Sequence, residues 1–210
     1  VSFPLTANSF TSDYVEDINL TDYFTNTDLS GFYGGFSSNN NIFLAPNSHS
    51  KLVKIKEDGF GYLGVNVLNV ATNNPDLTGF YGGFASGDYG YLVPNYKNGG
   101  NHGNVVRFDL ATFTHVEVLN VAANNPVLTG FYGGFASGDY GYLVPYSSGG
   151  IVVRFDLATF TLVEVLNVAT NNADLKGFNG GFAEGDYGYL VPYYNSASLH
   201  GNVVRFDLAT

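Results

Sequence analysis

Apolar and polar residues alternate through much of this chain in short runs with a period of two, the pattern of a strand whose side chains point to opposite faces. In residues 105–110, Val106, Phe108 and Leu110 share one face, while Arg107 and Asp109 share the other. In residues 89–93, Tyr89, Tyr91 and Val93 share a face. A Gly-rich run at 79–85 and a Val/Leu run at 116–121 complete a set of four, here called a, b, c and d in chain order. No helical period of 3.6 is found anywhere.

The set repeats. LTGFYGGFASGDYGYLVP occupies 77–94 and recurs letter for letter at 128–145. LKGFNGGFAEGDYGYLVP follows at 175–192, and a more divergent copy, LSGFYGGFSSNNNIFLAP, stands at 29–46. The first Gly of each copy is Gly31, Gly79, Gly130 or Gly177, a spacing of 48, 51 and 47 residues. Four short antiparallel strands in a unit of this size make the blade of a β-propeller. The fold class predicted is all-β, a four-bladed β-propeller of four-stranded antiparallel blades. Residues 15–210 form the four repeats, starting near 29, 77, 128 and 175, and residues 1–14 form an N-terminal arm.

The turns agree with this reading. Gly-Asp in GDYG, with Asp88, Asp139 and Asp186, suits a two-residue hairpin between runs a and b. Asp109 and Thr112 are placed to bond the local backbone between runs c and d. Asn73-Asn74, Asn124-Asn125 and Asn171-Asn172 read as connections between blades. The pairs Gly82-Gly83, Gly133-Gly134 and Gly180-Gly181 fit inner strands crowded near a propeller axis, with a bulge in an ordinary sandwich as the rival reading. Arg107/Asp109, Arg154/Asp156 and Arg205/Asp207 are expected to be solvated ion pairs along a half-exposed face.

The termini raise the question of closure. VEDINL at 15–20 aligns with run d, VEVLNV, whereas the chain ends on run c, VVRFDLAT, without its d. An N-terminal strand completing the last blade would hide the edge that is otherwise left open. VSFPL at 1–5 resembles VRFDL of run c, although Pro4 weakens it as a central strand. Either the ring closes within one molecule, or the terminal strands pair between molecules and build a polymer.

Composition narrows the function. The 210 residues include 18 Phe, 16 Tyr and 27 Gly, with only 12% charged, which excludes a disordered tail and suits short strands with tight turns. The net charge is −10 and Lys51, Lys54 and Lys56 are the densest basic group, so neither nucleic acid nor an anionic membrane is an expected partner. Cys is absent, which excludes disulfides and thiol chemistry. No apolar run approaches a membrane span of ~18 residues. Met is absent and the chain begins at Val1, from which a processed chain or part of a longer one is expected.

Catalysis needs unlike groups converging on one point, whereas near-identical blades repeat the same group. No GxSxG, HExxH or phosphate-binding loop occurs, and no catalytic residue, metal site or cofactor is predicted. His49, His102 and His200 are equivalent by alignment and are expected to be solvated loop residues rather than a metal-binding ring. His115 stands alone between runs c and d. Tyr96, Tyr146, Tyr193 and Tyr194 follow the Pro that ends run b and open the most variable loop of the repeat. They are the predicted ligand-binding residues, able to stack on sugars or contact a protein. Asn19 in Asn19-Leu20-Thr21 is the one N-glycosylation sequon.

The unit VVRFDLATFTLVEVLNV resembles the hairpins of YVTN-type and kelch-like propeller blades, although YVTN itself and the kelch Trp are missing. The longer repeat, GFYGGFASGDYGYLVPY followed by GNVVRFDLATFT, is similar to tandem blades in large secreted proteins of algae and oomycetes, including proteins of mastigonemes, over residues 29–210. The resemblance implies extracellular or cell-surface work in a filament-related assembly, and it carries no catalytic residues. A non-enzymatic structural or adhesive module, forming a homo-oligomer or filament, is the function expected. A lectin-like propeller that binds glycans through the loop tyrosines is the alternative.

Overall fold

The computed structural model describes residues 16–22, 29–57, 64–97, 99–114 and 116–209. Blade 1 comprises β1 (Phe32–Ser38), β2 (Asn41–Pro46), β3 (Lys51–Lys56) and β4 (Val65–Asn69). Blade 2 comprises β5 (Phe80–Ser86), β6 (Tyr89–Pro94), β9 (Asn104–Asp109) and β10 (Glu117–Asn120), with a small hairpin of β7 (Tyr96–Lys97) and β8 (Gly100–Asn101) in its variable loop. Blade 3 comprises β11 (Phe131–Ser137), β12 (Tyr140–Pro145), β13 (Ile151–Asp156) and β14 (Thr161–Asn167). Among the described residues blade 4 has three strands, β15 (Phe178–Glu184), β16 (Tyr187–Pro192) and β17 (Val204–Asp207). Every blade is an antiparallel meander in sequence order.

Local chemistry sets the turns. Gly87 takes a φ of +55° at the first position of the β5–β6 turn, which a residue without Cβ adopts at low cost. In the β9–β10 turn, Asp109 Oδ1 accepts from the Thr112 N–H at 2.7 Å and from its hydroxyl at 2.8 Å. Asp156 and Thr159 repeat both bonds in blade 3. The turn drives Phe113 and Phe160 to φ of 55° and 52°, and both rings are buried in return.

The core lies between blades. One face of blade 2, with Phe80, Leu92, Val106 and Phe108, packs on Phe43, Ala45 and Leu52 of blade 1. The other face, with Phe84, Tyr91, Val93 and Val105, packs on Phe131, Leu143, Val153 and Phe155 of blade 3. Blade 3 repeats the arrangement towards blade 4 through Phe135, Tyr142, Val144 and Val152. A blade covered on both sides explains why β6 and β9 are apolar on both faces. Gly90 lies against the Phe108 ring of the next strand, where a Cβ would collide, and Gly141 and Gly188 do the same for Phe155 and Phe206.

The Gly pairs serve both readings at once. The register between the first two strands of each blade shifts across the pair, which is a bulge, and Gly34, Gly82, Gly133 and Gly180 all take φ between +74° and +84°. A Cβ on Gly34 would stand 3.1 Å from Gly82 Cα, and one on Gly133 would stand 3.3 Å from Gly180 Cα. Inner strands therefore approach closely in the order β1, β5, β11, β15.

That order does not close. Beyond Gly180 a Cβ would meet nothing, and β15 does not pack on β1 as the other inner strands pack on their neighbours. The expected closure of the last blade by residues 15–20 is not seen among the described residues: β17 pairs only with β16. Residues 16–19 are irregular and lead into a 3-10 turn, Leu20–Asp22, whose Leu20 packs on blade 1 beside Leu29, Val53 and Ile55. The predicted arm, 1–14, lies outside the described residues, as do Val15 and His115.

Two smaller expectations also change. The ion pairs of Arg107 and Arg154 run across the sheet, to Glu117 at 2.7 Å and to Glu164 at 2.6 Å, rather than along the strand. The guanidinium of Arg107 is largely buried, lying 4.6 Å from the Tyr89 ring centroid and 4.5 Å from that of Phe160, not on a solvated face. The equivalent histidines are packed, not solvated. His102 is buried edge-on against Phe80, and half-buried His49 and His200 meet Phe32 and Phe178 the same way.

Candidate functional site

Two surfaces stand out, one aromatic and one apolar. The aromatic one grows from the second residue of the Gly-rich strand. Tyr33, Tyr81 and Tyr132 hold that position in blades 1 to 3, and Asn179 holds it in blade 4. The close approach of the inner strands brings the three rings together. Tyr33 stacks on Tyr81 at 4.0 Å, and Tyr81 meets Tyr132 at 4.7 Å. Tyr132 in turn stacks on Tyr146 at 3.8 Å, and Tyr193 stands 6.3 Å beyond Tyr146. Tyr33 also meets Tyr132 at 6.1 Å, and Tyr33 and Tyr193 are each 43% exposed.

Two of the four loop tyrosines predicted from sequence, Tyr146 and Tyr193, thus join one cluster. Tyr96 and Tyr194 lie one position later in the loop and share no ring contact with it among the described residues. Tyr96 is exposed on β7, and Tyr194 bridges to Leu199. Tyr33, Tyr81 and Tyr132 escaped the sequence reading because they sit inside a run read for its glycines. The signal was their recurrence one residue before each Gly pair.

Burial of the phenols, and then their neighbours in the cluster, raise the pKa of Tyr132 and of Tyr33 above the ordinary 10. Both remain protonated at neutral pH. The cluster offers aromatic faces and neutral hydroxyls, the chemistry that stacks on a sugar ring and hydrogen-bonds its hydroxyls.

The apolar surface is the outer face of blade 4. Phe182 is 51% exposed, whereas Phe84 and Phe135, at the same place in blades 2 and 3, are 8% exposed. Val191 and Val203 are likewise open, while their equivalents Val93, Val144, Val105 and Val152 are buried. Phe182 stacks on Tyr189 at 5.3 Å, as Phe84 does on Tyr91, so the face is formed, and among the described residues nothing comparable covers it.

Asn19 of the sequon is exposed, and its Oδ1 accepts from the N–H and the hydroxyl of Thr21. Among the described residues no three metal-ligating side chains converge, and no helix is long and apolar enough to cross a membrane.

No protein-family model and no curated protein matches the chain. Solved structures do. The hydrazine synthase of Kuenenia stuttgartiensis matches with a TM-score of 0.64 at 14% identity, over 88% of this chain and 48% of its own. BamB from Moraxella catarrhalis matches with a TM-score of 0.55 at 15% identity, over 85% of this chain and 47% of its own. The computationally designed Ika4 protein matches with a TM-score of 0.57 at 9% identity, over 87% of this chain and 94% of its own. This chain spans about half the length of the synthase and BamB chains. These likenesses, with BamB a β-propeller protein, establish that the chain has the fold of a β-propeller.

Proposed function

We propose that this protein is a non-enzymatic structural or adhesive module of an extracellular assembly or filament, which associates with itself through blade faces and β-strands. The observation that carries the reading is the open face of blade 4. Phe182, Val191 and Val203 belong to a surface that is buried in blades 2 and 3, where a following blade covers it. Burying a side chain of this kind stabilises by about 1.5–3 kcal/mol. A contiguous apolar surface of this sort marks a contact surface in soluble proteins.

Sedimentation velocity on the full chain over a range of concentrations tests the reading. A mass above the 22.6 kDa of one chain that falls on substitution of Phe182 and Val191 by Asp supports it. A particle of 22.6 kDa at every concentration removes it.

The tyrosine cluster favours a second reading, a lectin-like propeller. Tyr146 and Tyr193 would then be its binding residues, with Tyr33, Tyr81 and Tyr132 supporting them. A glycan array showing hits that vanish in Tyr146→Ala and Tyr193→Ala supports it, and an array at background discards it.

A further inference from the structure

Among the described residues blade 4 shows no outer strand, and residues 16–22 have the features of one. In blades 1, 2 and 3 the outer strand ends in an Asx turn. The Oδ1 of Asn69, Asn120 or Asn167 accepts from the backbone N–H two residues on, at 3.0, 2.9 and 2.9 Å. Asn19 makes the same turn, accepting from the Thr21 N–H at 3.2 Å. After each outer strand comes an apolar residue that packs at the next blade junction beside the Leu opening the next repeat: Val70 with Leu77, and Val121 with Leu128. Leu20 packs in that way with Leu29, on the face of blade 1 lined by Phe32, Leu44, Val53 and Ile55. These four are the counterparts of Phe80, Leu92, Val106 and Phe108, the surface that covers a preceding blade. Residues 16–20 therefore hold the place of an outer strand in front of blade 1, and among the described residues they have no inner partner and β17 has no outer strand.

The charges complete the match. Arg107 pairs with Glu117 and Arg154 with Glu164, each directly opposite across the sheet. By alignment, the same register on β17 sets Glu16 opposite Arg205, Ile18 opposite Val203 and Asn19 opposite Asn202. Glu16 and Arg205 are both exposed, and Arg205 already lies over the Tyr187 ring, as Arg107 lies over Tyr89.

We propose that the occupant of the open face is a second copy of this chain. Its residues 16–20 add to β17 as the missing outer strand, and its blade 1 covers Phe182, Val191 and Val203. Two such junctions join two copies, head to tail, into one closed ring of eight blades. The choice of two copies rests on length: this chain covers 47% of the chain of BamB, a β-propeller protein. This inference rests on the self-association proposed above.

The test uses two full-length variants, Glu16→Arg and Arg205→Glu, followed by sedimentation velocity. Wild type is expected at twice the chain mass of 22.6 kDa. Each variant alone sets like charges against each other at both junctions, which weakens the dimer on the order of a hundredfold. An equimolar mixture restores both pairs and is expected to recover the wild-type mass. At one junction Arg205 of the first variant meets Glu16 of the second, and at the other the two introduced charges, opposite in sign, meet each other. A wild type that associates while the mixture does not recover overturns this junction and leaves self-association standing. Species larger than two copies overturn the closed ring, and a wild type that stays at 22.6 kDa removes both the ring and the reading beneath it.

Discussion

Blades 3 and 4 carry nearly the same sequence and live in different surroundings. Phe135 and Phe182 occupy the same place, stack on the same type of ring and differ only in what lies outside them. Blade 4 covers the first, and among the described residues nothing comparable covers the second. The contrast separates what a repeat makes by itself from what its neighbour adds. Strand pairing and the aromatic stack belong to the repeat, and burial belongs to the junction. A repeat array follows this logic generally: each unit leaves a face that only the next unit can bury.

The largest effect should fall on that pair. Phe135→Ala removes a ring from a closed junction and should cost about 3–5 kcal/mol in urea unfolding. Phe182→Ala should change the stability of an isolated chain by no more than about 0.5 kcal/mol, as for other surface sites. Equal losses at the two positions would mean that blade 4 is covered in solution, and dilution of the sample would then tell a second copy from the chain itself.

The arginines sharpen the same contrast at a smaller scale. Arg107 donates to the Leu157 carbonyl at 2.8 Å and to Glu117, and lies between Tyr89 and Phe160. Arg107→Ala should cost roughly 1.5–3 kcal/mol, the range for hydrogen bonds to a charged group. Arg205→Ala, exposed on the edge strand, should cost under about 1 kcal/mol in the isolated chain. Thermal unfolding of the two variants in dilute solution measures the difference.

The inner strands offer a third comparison. Gly133 and Gly180 share a left-handed backbone, so an Ala at either should cost about 1–2 kcal/mol. Only at Gly133 would the new Cβ also press on a neighbouring strand, at 3.3 Å from Gly180 Cα. Gly133→Ala should therefore be the more damaging in denaturant unfolding, and equality would show that the inner strands can move apart.

How much of this was legible in the residues depends on the range of the interaction. The strands of blades 2 to 4 and their tight turns were readable, because alternation, Gly-Asp and Asp-x-x-Thr act within a few residues. The face assignments of Val106, Phe108 and Leu110 held for the same reason. The partner of Arg107 was not readable from spacing along its own strand. Its pairing with Glu117 depends on the register with the next strand, ten residues on, and only the repeat alignment links it to Glu164 and Glu16. The tyrosine cluster depends on how closely blades approach, which no single repeat contains. The open face was invisible for a plainer reason: GFASGDYGYLVP reads the same whether or not something covers it.

His102 gives the smallest effect, and the sign can be worked out. Its Nδ1 accepts from the Asn104 N–H at 3.4 Å, so the proton sits on Nε2, which donates to the Gly79 carbonyl at 3.2 Å. Burial, above all, lowers its pKa below the ordinary 6.5, because the charged ring would lose its water. As pH falls through about 6.5 the unfolded chain takes up a proton that the folded chain refuses. Stability is therefore full above that pH and declines below it, until the folded pKa is reached. Blade 3 has Gly149 at the matching place and contributes no such loss. Urea unfolding of wild type and His102→Gln at pH 7.5 and 5.5 should show a larger decline for wild type. Parallel declines would place the titration elsewhere and would mean that His102 opens to solvent far more readily than its packing against Phe80 implies.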